Sequence, residues 1–461
     1  MMTNDTIAAI ATASGKGGIG IVRLSGPKAH NIAQQLIDQP LTPRYATYTA
    51  FTDQSETNID SGIALFFPAP NSFTGEDVVE LQGHGGAIIL DLLLNEVLRL
   101  GARIARPGEF SERAFINNKI DLVQAEAIAD IIESTSEAAA KSAVRSLSGE
   151  FSKKINQLND ALISLRVYVE AAIDFPDEEV DFISDQKIVN ALDNIENSIE
   201  TITAQAKQGQ LIRDGLSLVI VGKPNAGKSS LLNLLAGQDV AIVNARAGTT
   251  RDILREDIQL DGLPLRIIDT AGLRSSDDEI EQEGIRRAKV EIEKADIVLF
   301  MRDSSDTIDQ LSAQQTLNAI EKELLNSEIT LLNNTAFVVV NNKIDLCDQA
   351  PQLGSHDLYT EINLSTKTRE GFDNLVNSLK QLCGYTNNNE NTFVARRRHI
   401  DALNKTRQSV ANGRQQLIEN AAGELLAEDL RQAQYYLGLI TGAVSPDDLL
   451  GEIFSSFCIG K

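Results

Sequence analysis

Tryptophan is absent from this chain, and cysteine, methionine and histidine are nearly so, with three, three and four residues among 461. Cys347, Cys383 and Cys458 lie far apart with no metal-ligand spacing. That excludes a disulfide framework and fits a reducing compartment, and so few histidines leave no zinc site to expect. Long hydrophobic runs are missing too. None approaches the ~20 apolar residues that span a bilayer. The N-terminal stretch has no basic region ahead of its short apolar segment, so no signal peptide is expected. The expectation is a cytoplasmic protein without membrane association. Positive charge is also scarce: 42 Lys and Arg stand against 65 Asp and Glu, a net charge of −23. Such a chain does not hold nucleic acid by phosphate neutralisation alone. A basic local surface or a basic partner must supply the attraction.

What is present is globular in composition, 42% hydrophobic and 23% charged. At ~150 residues per domain the length predicts about three domains. Residues 1–119 are rich in Gly, Pro and Thr, with short β-like runs at 20–24, 62–67 and 78–81 and one clear helix near 87–100. They read as a small α+β domain. Residues 120–213 read as helices. Leu122, Ile128, Ile131, Ile132 and Thr135 recur at helical spacing, as do Leu162, Leu165, Val169 and Ala172, until Phe175-Pro176 breaks the pattern. Residues 214–380 alternate strand and helix. Their apolar runs at 216–221, 265–268, 297–301 and 336–340 are of the buried parallel type, which predicts a doubly wound α/β domain. Residues 381–461 return to helix after a polar stretch at 386–391, and Ser445-Pro446-Asp447-Asp448 reads as a capped helix start. The fold class is therefore multidomain α+β and α/β, with a Ras-like P-loop domain inserted into a discontinuous helical domain (120–213 and 381–461).

The inserted segment carries chemistry. Gly222-Lys223-Pro224-Asn225-Ala226-Gly227-Lys228-Ser229 has P-loop spacing, follows a strand and precedes a helix. Backbone amides from Asn225 through Ala226, Gly227, Lys228, Ser229 and Ser230 can wrap phosphates. Lys228 reaches the β and γ oxygens, and the Ser229 hydroxyl ligates Mg²⁺. Further on, Ala247-Gly248-Thr249-Thr250 forms a switch-type loop in which Thr250 completes the Mg²⁺ shell. Asp269-Thr270-Ala271-Gly272 ends a strand, where the carboxylate can hold Mg²⁺ through water and the Gly272 amide can sense the γ-phosphate. Asn342-Lys343-Ile344-Asp345 ends another strand. The Asp345 carboxylate can accept from both N1–H and the 2-amino group of guanine, donors that adenine lacks, so GTP is chosen over ATP chemically. Ser365-Thr366-Lys367 is the loop whose amides meet the base oxygen. The P-loop followed by these four motifs in order points to a guanine-nucleotide-binding GTPase. Leu273 stands where a Ras-type enzyme carries its water-orienting glutamine, so hydrolysis needs another device. Asn225 is either a turn residue tolerating left-handed backbone or the source of an amide oxygen for a monovalent cation.

Beyond these loops the chain resembles the MnmE (TrmE) family of tRNA-modification GTPases over essentially its whole length. The resemblance rests on Asp5-Thr6-Ile7-Ala8-Ala9-Ile10-Ala11-Thr12 and on the runs at residues 17–26, 71–86 and 106–115. It extends to the ending Phe457-Cys458-Ile459-Gly460-Lys461. It implies a tetrahydrofolate-binding and dimerising domain over residues 1–119, a G domain over 214–380 and a helical domain in two parts. The folate derivative would be 5-formyl or 5,10-methylene, with contacts on Arg23, Glu80, Lys119 and Lys461. With an FAD-dependent partner (MnmG, also called GidA), in a heterotetramer or larger complex, the family places an aminomethyl or carboxymethylaminomethyl group on C5 of the wobble uridine of certain tRNAs. Hydrolysis would depend on K⁺, held by Asn225 and a loop contributing Asn244, Ala245, Arg246 and Thr249. Glu281 would organise the attacking water, and Cys458 would serve the modification step. Asn244 and Arg246 depart from the residues common in the family at those positions. The competing expectation is a GTP-controlled ribosome-assembly switch, which would share the middle domain and none of the flanking motifs.

Overall fold

The computed structural model describes residues 5–174, 186–223, 225–237, 255–260, 263–269, 295–305, 335–347, 349–356, 359–385, 392–420, 422–444, 447–457 and 460. The chain divides into two compact units. One comprises residues 1–132, 146–199 and 401–461, the other residues 133–145 and 200–400.

In the first unit, strands that bury alternate residues over part of their length build a sheet whose larger core lies on one face. Its strands are β1 (Ile7–Ile10), β2 (Gly17–Ser25), β3 (Thr47–Thr52), β4 (Asn58–Phe67), β5 (Val78–Gly85) and β6 (Arg103–Ile104), in the order β3-β4-β5-β2-β1-β6. All neighbours run antiparallel except β1 and β6. Val22, Leu24, Ala64, Val79 and Leu81 pack into one core with residues of α1 (Ala29–Leu36) and α2 (Ala87–Arg99). The intervening Ile21, Arg23, Glu80 and Gln82 remain partly exposed on the other face. The sequence predicts α2 alone in this region. The structure adds α1 and α3 (Glu109–Ile116). Each is eight residues long, below the length at which a helix holds by itself, so each depends on the surface it buries.

The same unit holds helices α4 (Leu122–Glu133), α6 (Glu150–Asp174), and much of α7 (Gln186–Asp214) and α10 (Arg397–Asn420). It also holds α11 (Gly423–Thr441) and α12 (Asp447–Ser455). Leu158, Leu162, Leu165 and Val169 form the buried stripe of α6, and α11 lies along that helix with Leu426, Leu430, Leu437 and Ile440 buried. Each such side chain contributes roughly 1.5–3 kcal/mol by leaving water. Arg414 on α10 bonds Glu196 and Asp193 of α7 at 2.5 and 2.8 Å. The helix expected from the spacing of Leu122, Ile128, Ile131 and Ile132 forms as α4, and its buried stripe includes Leu122 but not all of the isoleucines. Ile132 is 43% exposed, whereas Leu122, Ala125, Glu126 and Asp130 are buried. Isoleucine periodicity marks apolar residues, but the neighbouring elements decide which stripe they cover.

The second unit is a seven-stranded sheet, ordered β12-β13-β11-β10-β7-β9-β8. Its strands are β7 (Leu216–Gly222), β8 (Arg255–Leu260), β9 (Leu263–Asp269), β10 (Ile297–Asp303), β11 (Ala336–Asn342), β12 (Gln352–Ser355) and β13 (Thr360–Asn363). The central five are parallel, and β8 and β12 add antiparallel edges. Both faces of the central strands are buried, as parallel strands require: Leu218, Ile220 and Leu299 on one side, Val219, Val221 and Val298 on the other. Helices α8 (Lys228–Ala236) and α9 (Phe372–Leu382) pack with this sheet, and α5 (Glu137–Leu147) lends Ala139 to its core. Among the described residues no helix is long and apolar enough to cross a membrane.

Gly108 makes a test of the first unit. Its φ of +66° opens α3, and a Cβ there would lie 2.4 Å from the Phe454 carbonyl oxygen and 3.0 Å from Phe457 Cβ. Gly108→Ala is expected to cost about 1–3 kcal/mol through strained backbone and displaced α12. The measurement is thermal unfolding followed by circular dichroism, and an unchanged midpoint would refute the close packing of α12 on this turn.

Candidate functional site

The nucleotide motifs meet where parallel strands end. Strand order reverses beside β7, and in sheets of this kind ligands bind outside the carboxyl ends of the strands at that switch point. In register across the sheet, Gly222 pairs with Met301, and Asp303 pairs with Asn342. Asn341 pairs with Asn363, which leads into Ser365. Four strand ends therefore deliver the phosphate loop and the base-reading loops to one edge.

The turn after β7 closes with Asn225 at φ +65° and Gly227 at φ +104°. Gly227 is the N-cap of α8, and a Cβ there would fall 2.1 Å from Asn342 Nδ2. Only glycine admits both the backbone angle and the asparagine behind it. The helix begins at Lys228, so the amides of its first turn have no intrahelical partner and stand as an anion site. Lys228 Nζ donates to the carbonyls of Gly222 (2.5 Å) and Lys223 (2.9 Å), inside the turn where phosphates are cradled. Ser229, Ser230 and Asn225 are exposed, and Ala226 is buried. Among the described residues the Asn225 side chain has no hydrogen-bond partner, which suits an oxygen ligand to a cation.

Asn342 is fully buried and works in both directions. Its Nδ2 donates to the Ala226 carbonyl at 2.8 Å, and its Oδ1 accepts the Thr366 amide at 3.0 Å. The phosphate loop and the Ser365-Thr366-Lys367 loop are thus tied through one side chain. Lys343 follows at φ +68°, and its ammonium lies 2.5 Å from Asp303. With help from the Ser305 hydroxyl and amide, this ammonium draws the Asp303 carboxyl down to about 2. Sequence reasoning missed Asp303, because a carboxylate that ends β10 and opens an Asp303-Ser304-Ser305 turn carries no motif. The Ser365 hydroxyl donates to Asp345 Oδ1 at 2.7 Å and accepts the Lys367 and Thr368 amides at 3.3 and 3.2 Å. Asp345 is held by one oxygen, and its remaining lone pairs are available to a base with two adjacent donors.

Several of the expected residues lie outside the described residues: Asn244, Ala245, Arg246, Ala247, Gly248, Thr249, Thr250, Thr270, Ala271, Gly272, Glu281, Cys458 and Lys461. Of Asp269 the backbone is described, as the last residue of β9 beside Ile220 of β7.

A second cluster forms in the first unit. Arg23 and Glu80 are cross-strand partners on β2 and β5, with Arg23 Nε 2.9 Å from Glu80 Oε1. Gln82 donates to the other Glu80 oxygen at 3.1 Å. The Arg23 guanidinium also reaches the Gly460 carbonyl at 3.4 Å, so residues 437 apart in sequence meet there. Phe110 and Phe73 place their ring centroids 5.8 and 6.0 Å from Arg23 Cζ. Lys119 Nζ donates to the Pro70 carbonyl at 3.0 Å. Gln82, Phe73 and Phe110 were not selected from sequence. The signal for Gln82 was available, since it lies two residues from Glu80 on one strand and must share its face.

A P-loop at a switch point, tied by one buried asparagine to a base-reading loop, defines the P-loop GTPase class. Two family models match the chain: the N-terminus of the GTP-binding protein TrmE over residues 6–119, and the MnmE helical domain over residues 122–458. The tRNA modification GTPase MnmE of Mannheimia succiniciproducens is 54% identical over the whole of both chains. Those of Coxiella burnetii (53%, covering 99% of each chain) and Actinobacillus pleuropneumoniae (55%, covering 99% of this chain and all of the other) are similar over the same span. The chain belongs to the MnmE family of tRNA modification GTPases.

Asn342→Ala tests the bridge. It leaves the buried Ala226 carbonyl without its partner, at ~1–3 kcal/mol, and removes the acceptor of the half-buried Thr366 amide. GDP affinity by isothermal titration calorimetry is expected to fall by about 10- to 100-fold. Wild-type affinity in a folded variant would show that the two loops hold their positions independently.

Proposed function

We propose that this chain hydrolyses GTP and couples that cycle to modification of C5 in the wobble uridine of certain tRNAs. It would act as a homodimer through residues 1–119, together with an FAD-dependent partner of the MnmG (GidA) type, and place an aminomethyl or carboxymethylaminomethyl group there. The observation that carries this reading is full-length identity above half with relatives named as tRNA modification GTPases.

In this reading the first-turn amides of α8 and Lys228 hold the β and γ phosphates, and Asp345, oriented by Ser365, reads guanine. Ser229 and Thr250 hold Mg²⁺. Asn225 with the loop of Asn244, Arg246 and Thr249 holds K⁺, which supplies positive charge beside the β–γ bridge where other GTPases use an arginine. Glu281 positions water. Arg23, Glu80, Lys119 and Lys461 bind the tetrahydrofolate, which supplies the one-carbon unit. The donor set suits that group: Glu80 is an acceptor for the donor-rich edge of a pterin, and the cations suit its glutamate. Cys458 serves the modification step. The acidity of the chain assigns part of the attraction for tRNA to the partner or to a local basic surface.

The direct test is mass spectrometry of tRNA nucleosides from cells lacking the gene. Loss of the C5 group, restored by the wild-type chain, is expected; an unchanged nucleoside profile would refute the modification role and return the ribosome-assembly switch to first place. Hydrolysis is tested separately. GTP turnover is expected to be at least about tenfold faster in KCl than in NaCl of equal ionic strength, a part of the 10³–10⁵ that a finger contributes elsewhere. Asn225→Ala is expected to remove the difference. Equal rates in both salts would leave the cation without a role.

A further inference from the structure

The runs at residues 71–77 and 106–115 contribute nothing to the nucleotide site and none of the four proposed folate contacts. They meet instead on Arg113, whose side chain is 4% exposed. Its NH2 donates to Asp5 Oδ1 at 2.7 Å and Glu109 Oε1 at 3.2 Å. Its NH1 donates to the Asp5 carbonyl at 2.9 Å and to both Glu76 oxygens at 3.1 and 3.2 Å. Glu76 also accepts the Ser25 hydroxyl at 2.7 Å, and Asn117 donates to the Thr74 carbonyl at 2.7 Å. Arg113 and Glu109 are buried, while Asp5, Glu76 and Arg103 stay partly exposed around them. Such a network gives little net stability over an apolar core, but it ties its members to one geometry. What that geometry fixes is the segment between Pro70 and Glu76.

This segment touches two of the proposed folate residues. Phe73 has the Arg23 guanidinium over its ring, 6.0 Å from the centroid, and the residue is 38% exposed. Pro70 accepts the Lys119 ammonium, and the Lys119 stem lies against Gly75, 3.3 Å from where a Cβ would stand. We propose that the Asp5–Arg113–Glu76 clamp is a positioning device that holds Phe73 as the stacking wall for a planar heterocycle bound at Arg23 and Glu80. Arg113 and Glu76 are positioning residues; Phe73 touches the ligand. This rests on the folate reading of the site, and it adds the residue that recognises the ring system. The planar pyrimidinone ring of a reduced pterin gains on an aromatic face, whereas a fragment that lacks the pterin leaves that wall unfilled.

The test is calorimetric binding of 5-formyltetrahydrofolate to the full-length protein, with N-(4-aminobenzoyl)glutamate, which lacks the pterin, as a second probe. Phe73→Leu is expected to weaken 5-formyltetrahydrofolate about tenfold, by analogy with base stacking on aromatic side chains. It should leave the second probe unchanged, and Phe73→Tyr should restore binding. Glu76→Gln and Arg113→Met should weaken the folate at least as much as Phe73→Leu, with Arg113→Lys intermediate. Phe73 lies on the surface, so its variants decide the matter even if Arg113→Met fails to fold. Wild-type affinity in Phe73→Leu, while Arg23→Ala loses binding, would overturn the proposal and leave the folate reading standing. No binding to the wild-type chain would overturn both.

Discussion

One buried amide holds the nucleotide site together. Asn342 sits at the end of a parallel strand with no water to satisfy it, so both its donor and its acceptor must find protein partners. It finds the Ala226 carbonyl in the phosphate loop and the Thr366 amide in the base loop. The glycine at 227 exists in part to make room for it. A nucleotide has a fixed distance between its base and its phosphates, and the two loops that grip those ends are separated by about 140 residues of chain. A single side chain spanning them converts two loops into one ruler. The Lys343–Asp303 pair and the Ser365–Asp345 bond then fix the base loop from either side.

The first unit solves a related problem with charge. Its sheet covers one face with α1 and α2 and leaves Arg23, Glu80 and Gln82 on the other. Around that open face run loops with little apolar content of their own, and loops without a core need polar ties. Arg113 supplies them by gathering Asp5, Glu76 and Glu109. Burial by itself would raise the Glu109 carboxyl, but bonds from Arg103, the Arg106 amide and Arg113 outweigh it and hold the group ionised below its usual range. Glu109 is therefore charged at neutral pH, and its contribution is present above the ordinary carboxylate range and lost as acid titrates it through its lowered value. Gly460 joins the same face, its carbonyl accepting from Arg23.

Local chemistry was legible in the sequence wherever the backbone itself does the work. The P-loop, Asn342 to Asp345, and Ser365 to Lys367 were readable because their spacing dictates a turn, and the turn dictates where amides and carboxylates point. The parallel α/β domain was readable because strands buried on both faces must be continuously apolar. Helix α2 was long enough to show its period. Tertiary structure alone decided the rest. The short helices α1 and α3 exist only because a sheet covers their apolar faces, and the inward stripe of α4 was set by its neighbours rather than by its isoleucines. Asp303, Phe73 and Phe110 have no motif, since what defines each is a partner tens of residues away. Sequence carries the period and the turn because these are set by residues within a few positions of each other. Long-range contacts depend on how whole elements pack, and that is decided by the competition of all their faces for the same buried space.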